Sequence, residues 1–371
     1  MKWNYFKVAD IGINPNSKYL TNAINTISDI TMEEIGALPF PKGSIVFPRV
    51  GAALFNNNKK ILAQDGVVDD NVLVLTVTDT SKCWYEFLYY YLQGIPLAKW
   101  CNSGLVPVIN TKTVLSQMVF LPPLPEQQKI AAILSIQDKV IELKEKLLAQ
   151  KQQQKKYLMQ QLLTGKKRLP GFGGEWKTIH LNEISCRIET KNTVGNNNVL
   201  TISAQYGLIN QTEFFDKVIA SDNKSNYYLL SKDEFAYNRS YSKGYPYGTI
   251  KRLKRYVQGV VSPLYICFAV NKKLASLDFL EQYFEASIIN REIQSIVQEG
   301  ARNHGMLNVA VDDFFRIKIT MPEIEEQKEI AKILSTADHE IDLLQKSIEA
   351  EKQKKKARMQ LLLTGKVRVK I

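Results

Sequence analysis

The stretch PEQQKIAAILS at residues 125–135 returns as EEQKEIAKILS at residues 325–335, and KKYLMQQLLTGK at 155–166 returns as KKARMQLLLTGK at 355–366. Both blocks match at one offset of 200 positions with no gap between them, which marks two copies of a single structural unit. In the first copy Ile130, Ile133, Leu134, Val140, Ile141, Leu147, Leu148, Leu158 and Leu162 fall at helical spacing; in the second, Ile330, Ile333, Leu334, Ile341, Leu344 and Ile348 do the same. Pro122, Pro123 and Pro125 set the start of the first helix near Glu126, and Gly165 and Gly365 stop the two copies. Each copy then reads as a helix of about 38 residues, roughly 57 Å long. A small domain cannot hide a helix of that length, and the economical partner for its apolar stripe is the other copy. The first helix leaves one globular segment and enters the next, so a second helix packed along it must run back. The pair is therefore expected to form an antiparallel coiled coil, with Ile371 returning toward Met1.

A weaker repeat extends the same plan to the segments around the helices. WNYFKVADI at 3–11 resembles WKTIHLNEI at 176–184, and KGSIVFPR at 42–49 parallels KDEFAYNR at 232–239. Each of the latter is followed by an apolar strand, Val72–Val77 and Leu264–Val270, and then by an aromatic-rich helix, near Trp84–Leu92 and Asp278–Val297. The expected architecture is α+β with a pseudo-two-fold internal repeat. Globular domains at 1–121 and 170–321 alternate with helices at 122–169 and 322–371.

A chain of 371 residues with 45% hydrophobic and 23% charged residues has room for two cores and is too apolar for wholesale disorder. Its net charge of +12 is unevenly placed. Residues 126–169 carry ten basic and four acidic side chains and residues 326–371 eleven and seven, so +6 and +4 of the surplus sit on the two helices. The globular segments are close to neutral, and net charge alone is weak evidence for a polyanionic partner. The runs KQQQKK at 151–156 and KQKKKA at 352–357 read first as solvated helix faces. Cys83, Cys101, Cys186 and Cys267 form no CxxC, and His180, His304 and His339 show no metal-ligand spacing. The four cysteines are expected to be buried small apolar residues in a reducing compartment. With apolar runs short or interrupted, a cytoplasmic chain without a membrane partner is expected. LTGKK and LTGKV lack the first glycine and the Ser/Thr of a phosphate loop, and GxGxxG, HExxH and GxSxG are missing. The neighbouring carboxylates Asp69/Asp70 and Asp312/Asp313 would point to opposite faces of a strand and make poor acid–base pairs. No enzymatic activity is expected.

The PLPEQQKIA entry into a long helix and the LLTGK exit, each occurring twice after a dissimilar globular segment, resemble the specificity subunits of type I restriction-modification systems. YPYGTIK at 245–251 and GVVSPLY at 259–265 also look like a recognition domain of that family. The resemblance covers essentially the whole chain. It implies a non-catalytic subunit that reads a bipartite double-stranded DNA target, one half-site per domain. It also implies assembly with methyltransferase subunits, two in number, and with a restriction translocase. The chain would hold no cofactor of its own, S-adenosylmethionine belonging to the methyltransferase. Two different heads on a rod of ~57 Å could span at most ~17 base pairs centre to centre, so helix length would act as a ruler. The competing reading is a coiled-coil scaffold that binds protein alone.

Candidate DNA contacts follow from residue chemistry. Asn238–Tyr256 interleaves cations with Tyr241, Tyr245 and Tyr247 on a glycine-punctuated loop. From this region Asn238, Arg239, Ser240, Lys243, Tyr245, Tyr247, Lys251, Arg252 and Arg255 are expected at the interface. The corresponding set in the first domain is Lys42, Arg49, Asn57, Lys59 and Lys60, with Asn56 and Asn58 beside them. Arg302 and His304, in ARNHG at 301–305, occupy the place that Ser103, Gly104 and Leu105 hold in the first domain.

Overall fold

The computed structural model describes residues 2–13, 17–102, 104–203, 206–214, 224–241, 244–297 and 306–370. The chain forms two compact units that do not follow chain order: Met1–Leu147 joins Leu344–Ile371 in one, and Leu148–Leu343 forms the other.

In the first unit β1 (Lys2–Phe6), β3 (Asn25–Ser28) and β6 (Val67–Val68) form a sheet in the order β3-β1-β6. β2 (Tyr19–Leu20), β4 (Ile45–Pro48), β5 (Lys60–Leu62) and β7 (Val72–Leu75) form another in the order β2-β5-β4-β7. The helices are α1 (Val8–Ile13), α2 (Asp29–Glu34), α3 (Tyr85–Gln93), α4 (Thr111–Leu115) and the start of α5 (Leu124–Leu162). Alternation along β4 serves two cores. Ile45 and Phe47 pack with α3, with Ile130 and Leu134 of α5 and with Leu362 and Leu363 near the C-terminus. Val46 packs with Phe6, Ile11 and Leu62 on the other face.

The second unit repeats the scheme with more strands. β8 (Lys177–His180) pairs with β17 (Lys318–Met321), β10 (Leu200–Ser203) with β11 (Gly207–Asn210), and β12 (Tyr228–Ser231) with β15 (Gln258–Val261). β9 (Ser185–Arg187), β13 (Phe235–Asn238), β14 (Thr249–Arg252) and β16 (Ile266–Val270) form a sheet in the order β14-β13-β16-β9. Around them lie α6 (Leu181–Ile184), α7 (Gln211–Phe214), α8 (Leu277–Glu285), α9 (Asn290–Ile296), α10 (Val311–Phe315) and the start of α11 (Ile324–Leu362). Phe235 stacks on Phe268 at 5.3 Å and Tyr237 on Phe314 at 4.8 Å, while Ala236 between them faces a separate core with Leu200 and Leu230. The helix expected over 278–297 is two helices, because Ser287 takes a left-handed φ of 58° between them.

α5 and α11 are each 39 residues long. α5 begins at Leu124 rather than at Glu126, since the first turn tolerates a proline at position 125. Gly165 and Gly365 sit at φ +70° and +71° just past the helix ends, a Cβ on Gly165 falling 3.3 Å from the Trp176 ring. Within each unit the contacts run antiparallel. In the first, Gln137 meets Arg358, Asp138 meets Lys355, and Lys144 reaches Glu351 at 3.1 Å. In the second, Lys151 pairs with Glu340 at 2.7 Å and Lys155 with Asp338 at 2.5 Å. The apolar seam is densest at the helix ends, where Ile330, Ala331 and Leu334 are buried with Met159, Leu162 and Leu163, and Ile348 is buried near the middle of α11. Val140, Ile141, Leu148 and Leu344 are half-buried and Leu147 is exposed. Charge pairs therefore carry much of the pairing between the ends.

Two buried carboxylates fix the ends. Arg368 donates to Glu126 through Nε (2.8 Å to Oε1) and Nη2 (2.6 Å to Oε2), and Arg168 donates to Glu326 with the same two atoms at 2.8 and 2.6 Å. Each pair joins the first turn of one long helix to the tail after the other, and the residues are related by the 200-position offset. Asp138–Lys355 and Lys155–Asp338 are exchanged in the same manner. Gln127 and Gln327 are also buried equivalents. Gln127 accepts the Trp84 N–H that opens α3, and Gln327 the Ser276 N–H that opens α8, each at 2.8 Å. Of the four cysteines expected to be buried, Cys267 is, Cys83 and Cys101 are half-buried, and Cys186 is exposed on the sheet-edge strand β9. Among the described residues no helix is long and apolar enough to cross a membrane.

The Arg368 guanidinium holds the Glu126 carboxyl below its usual range, so the pair stabilises the fold above the unfolded carboxyl pKa near 4.3 and loses that contribution as pH falls through the lower folded value. Arg368→Ala should lower the Tm by several degrees at pH 7, and the deficit should shrink in a thermal melt at pH 3.5. A deficit independent of pH would show that the pair is not the cause.

Candidate nucleic-acid interface

The two heads share one crossing. β4 runs between β5 and β7 and β13 between β14 and β16, all antiparallel, and each central strand is followed directly by an arginine. Past Arg49 the chain bridges Val50 to Val108, and past Arg239 it bridges Ser240 to Met306. The carbonyl of Arg49 accepts the Ile109 N–H and the carbonyl of Arg239 the Leu307 N–H, both at 2.9 Å. In both heads the returning segment before the last helix is thus pinned against the exit of the central strand.

The side chains placed there differ. In the first head Lys42 and Arg49 are exposed. Asn57 takes a left-handed turn (φ 54°) and directs its Oδ1 inward, accepting from Lys59 Nζ at 2.7 Å and from the Leu97 N–H at 2.9 Å. Lys59 and Lys60 are each 2% exposed and correct the sequence reading. Lys59 Nζ also donates to the Ile95 carbonyl at 2.9 Å, and Lys60 Nζ to that of Ser17. Burial pushes the Lys59 amine down to about 7 and that of Lys60 to about 8. Following three asparagines in NNNKK, they read as polar turn residues, and only their burial shows otherwise.

In the second head most of the basic stretch is neutralised by α8. Arg252, 9% exposed, meets Asp278 at 2.6 Å and Glu281 at 2.9 Å; Lys254 meets Glu281 at 3.2 Å; Lys251 pairs with Glu285. The Tyr245 hydroxyl donates to Glu285 at 3.0 Å, and burial with that carboxylate pushes its pKa up to about 12. Arg239 donates to the Leu264 carbonyl at 2.9 Å and to that of Val309 at 3.0 Å. Asn238 Oδ1 accepts the Ser240 N–H at 3.0 Å, and the Tyr247 carbonyl accepts the Tyr237 hydroxyl at 2.7 Å. Arg239, Lys251 and Arg252 thus brace the loop, their charges met by carbonyls and carboxylates of the same head. Arg255 stays exposed, 3.4 Å from an exposed Glu213, and Tyr241 is 65% exposed. Lys243, Arg302 and His304 lie outside the described residues. The sequence reading did not single out Glu126, Glu326, Arg168 and Arg368, although GKKR and GKVR carry their arginine at the same step after the stop glycine. It also passed over the exposed apolar residues Phe55 and Val106.

The family model for the type I restriction modification DNA specificity domain matches residues 2–153 and again residues 174–352. The chain belongs to that family. Among relatives, the type I restriction enzyme MjaVIII specificity subunit of Methanocaldococcus jannaschii is 25% identical over 302 residues, covering 71% of this chain and 65% of its own length. The putative type I restriction enzyme MjaX specificity subunit of the same organism is 24% identical over an alignment of 390 positions, covering 96% and 85%. The fold is shared with the HsdS subunit of Thermoanaerobacter tengcongensis (TM-score 0.53, 15% identity, 99% of this chain and 91% of that one). It is shared also with the type I restriction-modification S subunit of M. genitalium (TM-score 0.56, 14% identity, 98% and 92%). The family match falls twice, once on each head and the long helix that follows it. In this member of the type I specificity family, the shared crossing is thus the common frame and the residues around it are what differ.

Buried Lys59 gives a test of the corrected assignment. Its folded pKa lies below the unfolded value near 10.4, so between pH 7 and 9.5 the unfolded chain binds more protons and stability rises with pH. Lys59→Met should flatten that rise in a series of chemical denaturations while leaving DNA affinity at pH 7 unchanged. A loss of affinity with the wild-type pH slope retained would return Lys59 to the interface.

Proposed function

We propose that this chain is the reading subunit of a type I restriction-modification complex and carries no catalytic step itself. Residues 1–121 contact one half of a bipartite DNA target and residues 170–321 the other, while 122–169 and 322–371 form the paired helices that carry them. The observation behind this reading is the crossing at Arg49 and Arg239: one backbone frame, built twice, presents two different sets of side chains. Identical heads would read identical half-sites; unlike heads on one frame suit two unlike ones. Exposed Lys42, Arg49 and Arg255 remain the described cations of the original set best placed for phosphates or base edges.

Two copies of a methyltransferase subunit dock on the helices. Support comes from a pair of grooves. One, of about 630 Å³, is lined by Lys156, Met159, Gln160 and Thr164 beside the end of α8; the other, of about 550 Å³, has the same four residue types 200 positions later beside the end of α3. Like grooves ask for like partners. The internal neutralisation of the second head's basic stretch is what favours the alternative, a scaffold that binds protein alone.

Titrating the complex reconstituted with its methyltransferase against a duplex carrying the host methylation motif separates the two. Arg49→Ala should weaken binding about tenfold or more, or lower the salt slope by about one if it holds a phosphate. Lys251→Ala, which removes the partner of Glu285, should lower the Tm and leave the affinity of the folded complex intact. Equal affinity for the motif and for scrambled duplex would exclude the DNA-reading function.

A further inference from the structure

The first head carries an apolar tip that the exposed cations do not explain. Leu105 is fully exposed, Phe55 is 67% exposed and Val106 56% exposed. Two loops bring this tip to the end of the central strand. Gly51, at φ +82°, lets the chain leave β4 and donate its N–H to the Pro107 carbonyl at 2.9 Å. Asn102 braces the second loop, its N–H donating to the Val108 carbonyl at 3.1 Å and its Oδ1 accepting the Val108 N–H at 3.1 Å. Pro107 biases Val106 toward an extended conformation. Leu105 and Val106 thus directly precede the segment, Pro107–Ile109, that is pinned to the strand exit at exposed Arg49.

Chemistry narrows the occupant. Residues 49–58 and 101–110 contain no aspartate or glutamate, and their one charged side chain is Arg49. A carboxylate-free, apolar tip with a flanking guanidinium suits a groove of strongly negative potential whose floor offers one apolar group, the C5-methyl of thymine. Two exposed side chains, Leu105 and Val106, offer far less apolar area than a stable protein interface needs. Resting on the DNA-reading function proposed above, we infer that the first head recognises an A·T pair in its half-site by packing Leu105 and Val106 against a thymine methyl, with Arg49 alongside on phosphate or a base edge. Leu105 and Val106 are then specificity-determining residues, and the first half-site contains at least one A·T pair.

Replacing thymine with deoxyuridine removes that methyl and nothing else. The reconstituted complex with its methyltransferase is titrated against the duplex of the host methylation motif, each thymine exchanged in turn. The expected result is one thymine, in one half-site, at which the exchange weakens the wild-type complex about fourfold, the loss for one buried methyl. A complex carrying Leu105→Ala and Val106→Ala should bind the thymine and deoxyuridine duplexes alike, and mapping of its methylation should show relaxed discrimination at that position. Because both side chains are exposed, the double variant should keep the wild-type Tm, which is measured alongside. Wild-type indifference to every exchange overturns the inference, as does a double variant that keeps full methyl sensitivity. In either case a retained preference for the motif over scrambled duplex shows that the DNA-reading function itself stands. A complex with no such preference overturns both.

Discussion

Two carboxylates without access to water decide how this chain is put together. Glu126 and Glu326 sit in the first turns of the long helices, where a negative charge is favoured by the helix dipole, yet each is buried and must be met by a cation. The cation in each case follows the opposite helix. A chain that satisfied each glutamate from its own helix could stack two independent domains in sequence. Crossed pairing instead makes each compact unit out of both helices, which is why the first unit is assembled from the two ends of the chain. Asp138 with Lys355 and Asp338 with Lys155 repeat the rule further along.

Much of this was legible in advance because the repeat is nearly identical in sequence where it must be identical in structure. The 200-position offset gave the pairing of the copies, the prolines and stop glycines their length, and the connectivity of the chain their antiparallel sense. What the pattern did not reveal was the chemistry of the seam. Apolar spacing suggested a continuous stripe, whereas burial is concentrated at Ile130, Leu134, Leu162 and Leu163 and at their equivalents near the helix ends, with Ile348 buried between them. Charges fill the remainder, and the lysine runs read as solvated faces include Lys155 and Lys355, which are bonded across the pair.

The interface was less legible, for a reason that residue type cannot overcome. A lysine or arginine looks the same in a sequence whether it reaches solvent or a carboxylate one helix away. Lys251 and Arg252, on the edge strand β14, and Lys254 just past it meet Asp278, Glu281 and Glu285 of α8. Lys60 turned inward because its strand is buried along its whole length, and Lys59, just before that strand, is held by Asn57 and the Ile95 carbonyl. The exposed apolar residues Phe55 and Val106 were passed over, since they carry no charge to count. The frame that places them, a strand exit pinned to a returning segment, became visible only as the same hydrogen bond in both heads.

The account stands on each head acting as a separate reader on a common frame. Exchanging residues 1–121 for the corresponding head of another specificity subunit, and mapping genomic methylation in the host, tests this most directly. The account predicts that one half of the methylated motif changes to that of the donor while the other half and the number of bases between them stay as they were. A change in both halves, or a motif left untouched, would contradict it.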